Sequence, residues 1–170
     1  ADLYVRSNDA RRALELVDAA MKDQSAISPQ LILARARAQV SLGLLREAQE
    51  GFRLMLAANP GDTGARRALV DIMLRDNSPD TARALLRDGL AASPGNAALL
   101  QTLVGLEIRE GGPEKALNVL AELQREPRNV GPTLGLAGDI LMTTNRFAEA
   151  AQAYVDDLRR QGRSDLVLRA

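Results

Sequence analysis

The sequence predicts an all-α chain of antiparallel helix pairs repeated along its length, and three observations predict it. The first is composition: 46% of the 170 residues are hydrophobic but only 2% are aromatic, so the apolar content is mostly Leu and Ala. Such side chains suit closely approaching helices, whereas strands draw on Val, Ile, Thr and aromatics. The second is an internal period. Ala13, Ala48, Ala82, Ala116 and Ala150 stand 35, 34, 34 and 34 residues apart, and one helical turn after each comes a larger apolar residue: Val17, Phe52, Leu86, Leu120 and Tyr154. The third is punctuation. Five residues before each alanine stands Asn8, Gly43, Asn77, Gly111 or Asn145, residue types that tolerate the left-handed backbone with which helices end. Self-similarity at this spacing marks a repeat array.

The elements follow in order. Ala1 to Ser7 reads as the tail of a helix, with Asn8 as the turn and a partner helix from about Asp9 to Asp23. Ser28-Pro29 predicts an N-cap and a proline at the first helical position, opening a helix to Leu42. Leu44 to Ala58 follows, with Ala48, Phe52, Met55 and Leu56 on one face and Asn59-Pro60 as the stop. Asp62 caps a helix to about Asp76, and Ser78-Pro79 caps its partner to Ala92. Asn96 starts a helix to Glu110, and Gly112-Pro113 opens its partner to about Arg125. Beyond a loop around Pro127, helices are expected from about Pro132 to Thr144 and from Arg146 to Gln161. Residues 164–170 read as the start of a further helix, by likeness to Leu31–Ala36. The expected organisation is a single array: a partial unit over 1–27, then units 28–61, 62–95, 96–129 and 130–163. Both ends read as cut within helices, without the polar caps that arrays carry, so a segment of a longer array is expected.

A period of 34 residues, a turn residue, a small and a bulky residue one helical turn apart and then Pro resembles the tetratricopeptide repeat (TPR). Pro60 and Pro94 occupy its proline sites. Tyr4 fills the aromatic site of the first helix, Leu69 and Leu103 its large apolar site, and Ala36 and Gly138 its small site. The sequence departs from the pattern in having no Trp, in Gln39 and Glu107 where Tyr or Leu is usual, and in Arg35 at an apolar site. Gly89, Leu123 and Asp157 stand where Ala is expected. The resemblance implies a right-handed α–α superhelix, a TPR-like solenoid whose inner helices line a concave groove that binds a peptide or helix.

In that register one inner row runs Asp2, Arg37, Asp71, Gly105, Asp139. A second runs Leu33, Arg67, Gln101, Gly135, and a third Gln30, Gly64, Ala98, Pro132. The implied partner-binding residues are Arg37, Arg67, Asp71, Gln101 and Asp139, with Arg67 one turn from Asp71 and able to pair with it. The Lys/Asn/Arg cluster by which chaperone adaptors of the family hold a C-terminal carboxylate is absent from these rows. The closing stretch GDILMTTNRFAEAAQAYVDDLRRQGRSDLVLRA is similar to repeats of bacterial envelope proteins of exopolysaccharide export, including TPR proteins of the PEP-CTERM system. That similarity implies a periplasmic setting. The alternative function there is a structural spacer or self-assembly segment.

Charge and residue usage narrow the chemistry. The 22 basic and 22 acidic residues cancel, unlike the basic excess of a nucleic-acid footprint or a polybasic membrane patch. Without Cys or His there is no thiolate nucleophile, imidazole metal site or His-based triad. No run of 18 apolar residues spans a bilayer. The carboxylates fall at helical spacing on outer faces, as solvated charge does. The glycines from Gly131 to Gly138 follow no strand and precede no Lys-Ser/Thr, so they read as close helix contacts rather than a phosphate loop. Leu99, Leu100, Leu103 and Val104 read as core between repeats. The expectation is a non-catalytic scaffold with no cofactor, no metal and no nucleic acid. Its partner is a protein or peptide, and its apolar end faces are a route to homo-oligomers.

Overall fold

The computed structural model describes residues 2–22 and 28–167, with side chains described over 9–22 and 28–160. The helices are α1 (Asp2–Lys22), α2 (Pro29–Ser41), α3 (Leu45–Ala58), α4 (Thr63–Arg75), α5 (Pro79–Ala92), α6 (Ala97–Leu123, two helical segments that meet at a break at Gly112), α7 (Val130–Thr143) and α8 (Phe147–Val167). A 3₁₀ turn, Pro127–Asn129, precedes α7, and the described residues contain no strand. The chain divides into two compact units, Ala1–Leu85 and Leu86–Ala170, with the division inside α5. In the first, α1 packs on α2, α2 on α3 and α3 on α4; in the second, α6 packs on α7 and α7 on α8.

Three of the predicted turns are built alike. Gly43, Asn77 and Asn145 take φ of 76°, 52° and 61°, the left-handed conformation Gly and Asn adopt at least cost. In each, the next amide reaches back to the helix it leaves: Leu44 N–H to Gln39 O, Ser78 N–H to Met73 O and Arg146 N–H to Leu141 O, all at 2.9 Å. These are Schellman closures, which satisfy carbonyls the helix end leaves open. The fourth turn moves by one residue. Gly112, not Gly111, leaves the helix, with φ 80° and ψ 178°, because the residue before a proline is driven out of the helical region and only glycine accepts this φ, ψ pair. Ser28, Asp62 and Asn96 cap α2, α4 and α6 by accepting from Leu31, Ala65 and Leu99 N–H. Ser78 behaves otherwise: its hydroxyl donates to Asp76 O.

Both chain ends depart from the period. α1 runs unbroken through Asn8, and Ala13 is exposed while Ala10 is buried. α8 continues through Gly162 to Val167, so no new helix opens at Ser164. Propagating an existing helix gains a hydrogen bond per residue, whereas nucleating a separate short one is costly. The side chains of Asp2 and Tyr4 lie outside the described residues, as does all of residues 168–170.

The four remaining crossover alanines, Ala48, Ala82, Ala116 and Ala150, are each 0% exposed. Ala116 sits with Val104, Leu120 and Ile140 in the core of the second unit. Ala116→Leu is therefore expected to cost about 1–3 kcal/mol by overfilling, and Ala13→Leu to be neutral within about 0.5 kcal/mol. Urea denaturation of the two variants checks this; equal midpoints would contradict the assignment.

A candidate binding cleft in the first unit

α2 and α4 flank a cleft of about 560 Å³ floored by α3. On α3, a Cβ added at Gly51 would lie 3.1 Å from the Ala36 Cβ, so α3 approaches α2 closely and places Phe52 and Met55, both buried, beneath the opening. Leu33 and Val40 of α2 and Ala65, Ala68 and Ile72 of α4 form apolar walls. Arg37 and Ser41 on one side and Asp62, Asp71 and Arg75 on the other make the rim.

The rim is set from below. Asp62 Oδ1 accepts from Ala65 N–H at 2.9 Å, starting α4. Arg66, only 6% exposed, donates from Nη1 to Leu85 O at 2.9 Å and from Nη2 to Pro60 O at 2.6 Å. It thereby ties the α3–α4 connection to α5. The repeat register leaves Arg66 unmarked; the signal it carries is its place on the buried stripe with Leu69, Val70 and Met73. Among the described residues no ion pair takes up the side chains of Arg37, Arg67, Asp71 or Arg75, so Arg67 and Asp71, one turn apart and able to pair, do not do so.

Of the residues expected in a groove, Arg37 and Asp71 line this cleft together, as do Leu33 and Gly64 of the neighbouring rows. Arg67 is exposed on α4 but is not part of the lining. Arg75 is a lining residue that the rows missed, because it stands one turn beyond the positions enumerated. Gln101 and Asp139 belong to the second unit. Gln101 is exposed on α6. Asp139 accepts a hydrogen bond from Tyr154 Oη at 2.7 Å, which together with desolvation holds the phenol above its usual pKa.

Of the α7 glycines, Gly138 serves the close contact expected, since a Cβ there would lie 2.5 Å from the Tyr154 ring; at Gly131 and Gly135 it would meet the Asp157 carboxylate at 3.4 and 3.7 Å, which is ordinary contact. Among the described residues there is no group of three or more His, Cys, Asp or Glu side chains that could hold a metal ion. No helix among them is long and apolar enough to cross a membrane.

The family model of the tetratricopeptide repeat matches residues 73–129. The crystal structure of MamA superposes with a TM-score of 0.57 at 14% identity, covering 93% of this chain and 92% of that one. TTC0263, a thermophilic TPR protein in Thermus thermophilus, gives 0.51 at 23% identity, covering 94% and 87%. YrrB, described as a TPR protein with an unusual peptide-binding site, gives 0.50 at 18% identity, covering 99% and 86%. Among curated proteins none matches this sequence. At these identities the likeness is one of fold.

Proposed function

From a chain with a tetratricopeptide repeat at residues 73–129 and the fold of TPR proteins, we propose a non-catalytic protein-interaction scaffold whose α2–α4 cleft binds a peptide or helix. The observation that carries this reading is an apolar floor ringed by charges with no ion-pair partner among the described residues. An apolar anchor of the partner would sit on Phe52 and Met55, an acidic group at Arg37 or Arg75, and a basic group at Asp71. Arg67 flanks the cleft, while Gln101 and Asp139 are separate contacts of the second unit. The helix backbones that carry these side chains are already packed, so binding need not order them, which leaves more of the interaction free energy as affinity. The likeness in fold to YrrB supports a peptide as the ligand class.

The test is to select a peptide from a displayed random library on the immobilised chain and measure its affinity by fluorescence anisotropy. Arg37→Glu and Asp71→Lys are each expected to weaken binding about tenfold or more, as for loss of a charge-assisted hydrogen bond, without lowering the melting temperature. Affinity unchanged in both would move the site elsewhere.

A second reading, self-assembly, rests on the terminal helices. Leu16 of α1 is 68% exposed, and Phe147, Val155 and Leu158 of α8 are 56%, 40% and 65% exposed. On α8, Val155 and Leu158 stand one helical turn apart, so they share a face that a second copy could cover. A bacterial envelope assembly is the setting the closing segment's resemblance implies. Light scattering on the same samples separates the two readings: a mass that rises with concentration, with no selectable peptide, favours assembly.

A further inference from the structure

A second, smaller cavity of about 240 Å³ lies in the first unit among α1, α2 and α3, and it shares no lining residue with the α2–α4 cleft. Gln39 of α2 is its least expected feature. It occupies the position that Met73 and Leu141 hold in the equivalent turns, and it is 6% exposed. Its backbone carbonyl closes the turn, but among the described residues its carboxamide has no hydrogen-bond partner. Gln39 lines the cavity, and its carboxamide is open to it rather than sealed in the core, so a ligand can meet the amide there.

Glu47 and Glu50, one turn apart on α3, stand at the same cavity. Both are exposed, and among the described residues neither enters an ion pair. Arg35, the cationic residue of this lining, is engaged by Asp18 at 2.8 Å. The cavity thus offers two uncompensated carboxylates and one amide oxygen, with Met21, Ile32 and Leu54 supplying apolar wall.

We propose that this cavity binds one arginine side chain of a protein partner, its guanidinium between Glu47, Glu50 and the Gln39 carbonyl oxygen and its stem on Met21, Ile32 and Leu54. Three acceptors match a planar head with five fixed donors, which is also less strongly hydrated than an ammonium. The volume falls below the roughly 300–1,000 Å³ of small-molecule sites and suits a single long side chain. Because no residue is shared with the first cleft, the two sites stand or fall separately.

The experiment is a titration of the ¹⁵N-labelled full chain with Nα-acetyl-arginine methylamide, alongside the matching lysine and citrulline derivatives. Citrulline keeps the shape and removes the charge. The arginine derivative should give saturable shifts of the Gln39 side-chain amide and of the backbone amides from Glu47 to Gly51. Lysine should bind more weakly and citrulline without saturation. The Glu47→Gln/Glu50→Gln double variant should weaken arginine binding at least about tenfold while melting as the parent does, since both residues are exposed; Gln39→Leu should weaken it as well. Equal shifts from citrulline, binding of lysine equal to arginine, or unchanged affinity in the double variant would each overturn the assignment. The Arg37→Glu chain should bind the arginine derivative normally.

Discussion

Gly95→Ala is expected to destabilise the second unit by about 2–4 kcal/mol, the sum of backbone strain and a steric clash. Gly95 has φ of +77°, and an added Cβ would lie 2.6 Å from the Arg128 carbonyl oxygen. That neighbour is backbone, so no side-chain rotation relieves the contact. The same residue holds a latch: its N–H donates to Asn129 Oδ1 at 2.6 Å, and Asn129, 3% exposed, donates from Nδ2 to Leu123 O at 3.1 Å. Alanine would push apart the two loops that Asn129 joins. Gly43→Ala is the control, because Gly43 has a similar φ of +76° with nothing within 4 Å of the added Cβ. It should lose only the conformational cost, about 1–2 kcal/mol. Urea unfolding followed by helical circular dichroism measures both; equal losses would show that the Gly95–Arg128 approach carries no weight.

Phe52→Ala is expected to cost about 3–5 kcal/mol, the range for removing a buried aromatic side chain. Phe52 is 2% exposed and serves both as core and as the cleft floor. Loss of stability and loss of peptide binding should therefore come together in this variant. Phe52→Leu separates them: it keeps most of the apolar volume and should cost under about 1.5 kcal/mol, while the reshaped floor still alters peptide affinity. Chemical denaturation gives the first quantity and anisotropy with the selected peptide the second. A Phe52→Ala chain as stable as the parent would contradict its place in the core.

Part of the candidate site is legible in the sequence. The 34-residue spacing puts Arg37 and Asp71 on one inner row, and both line the same cleft. Arg67 and Arg75 show where that reasoning stops. Successive residues on a helix point in different directions, and whether a long side chain reaches a cleft depends on the neighbouring helix, which spacing does not describe. Arg66 marks the same limit from the other side. Beside Arg67 it looks like surface charge, yet the carbonyls of Pro60 and Leu85 give it a buried berth.

The amino acids on their own specify local chemistry with short reach. Helix pairs follow from Leu- and Ala-rich stripes, turns from Gly43, Asn77 and Asn145, whose backbones accept positive φ, and starts from the acceptors of Ser28, Asp62 and Asn96. Two outcomes needed the folded chain: α1 passes straight through Asn8 with Ala10 rather than Ala13 buried, and Gln39 is enclosed beside Glu47 and Glu50. A dihedral preference or a cap is settled within a few residues along the chain. Enclosure is settled by side chains that only packing brings together.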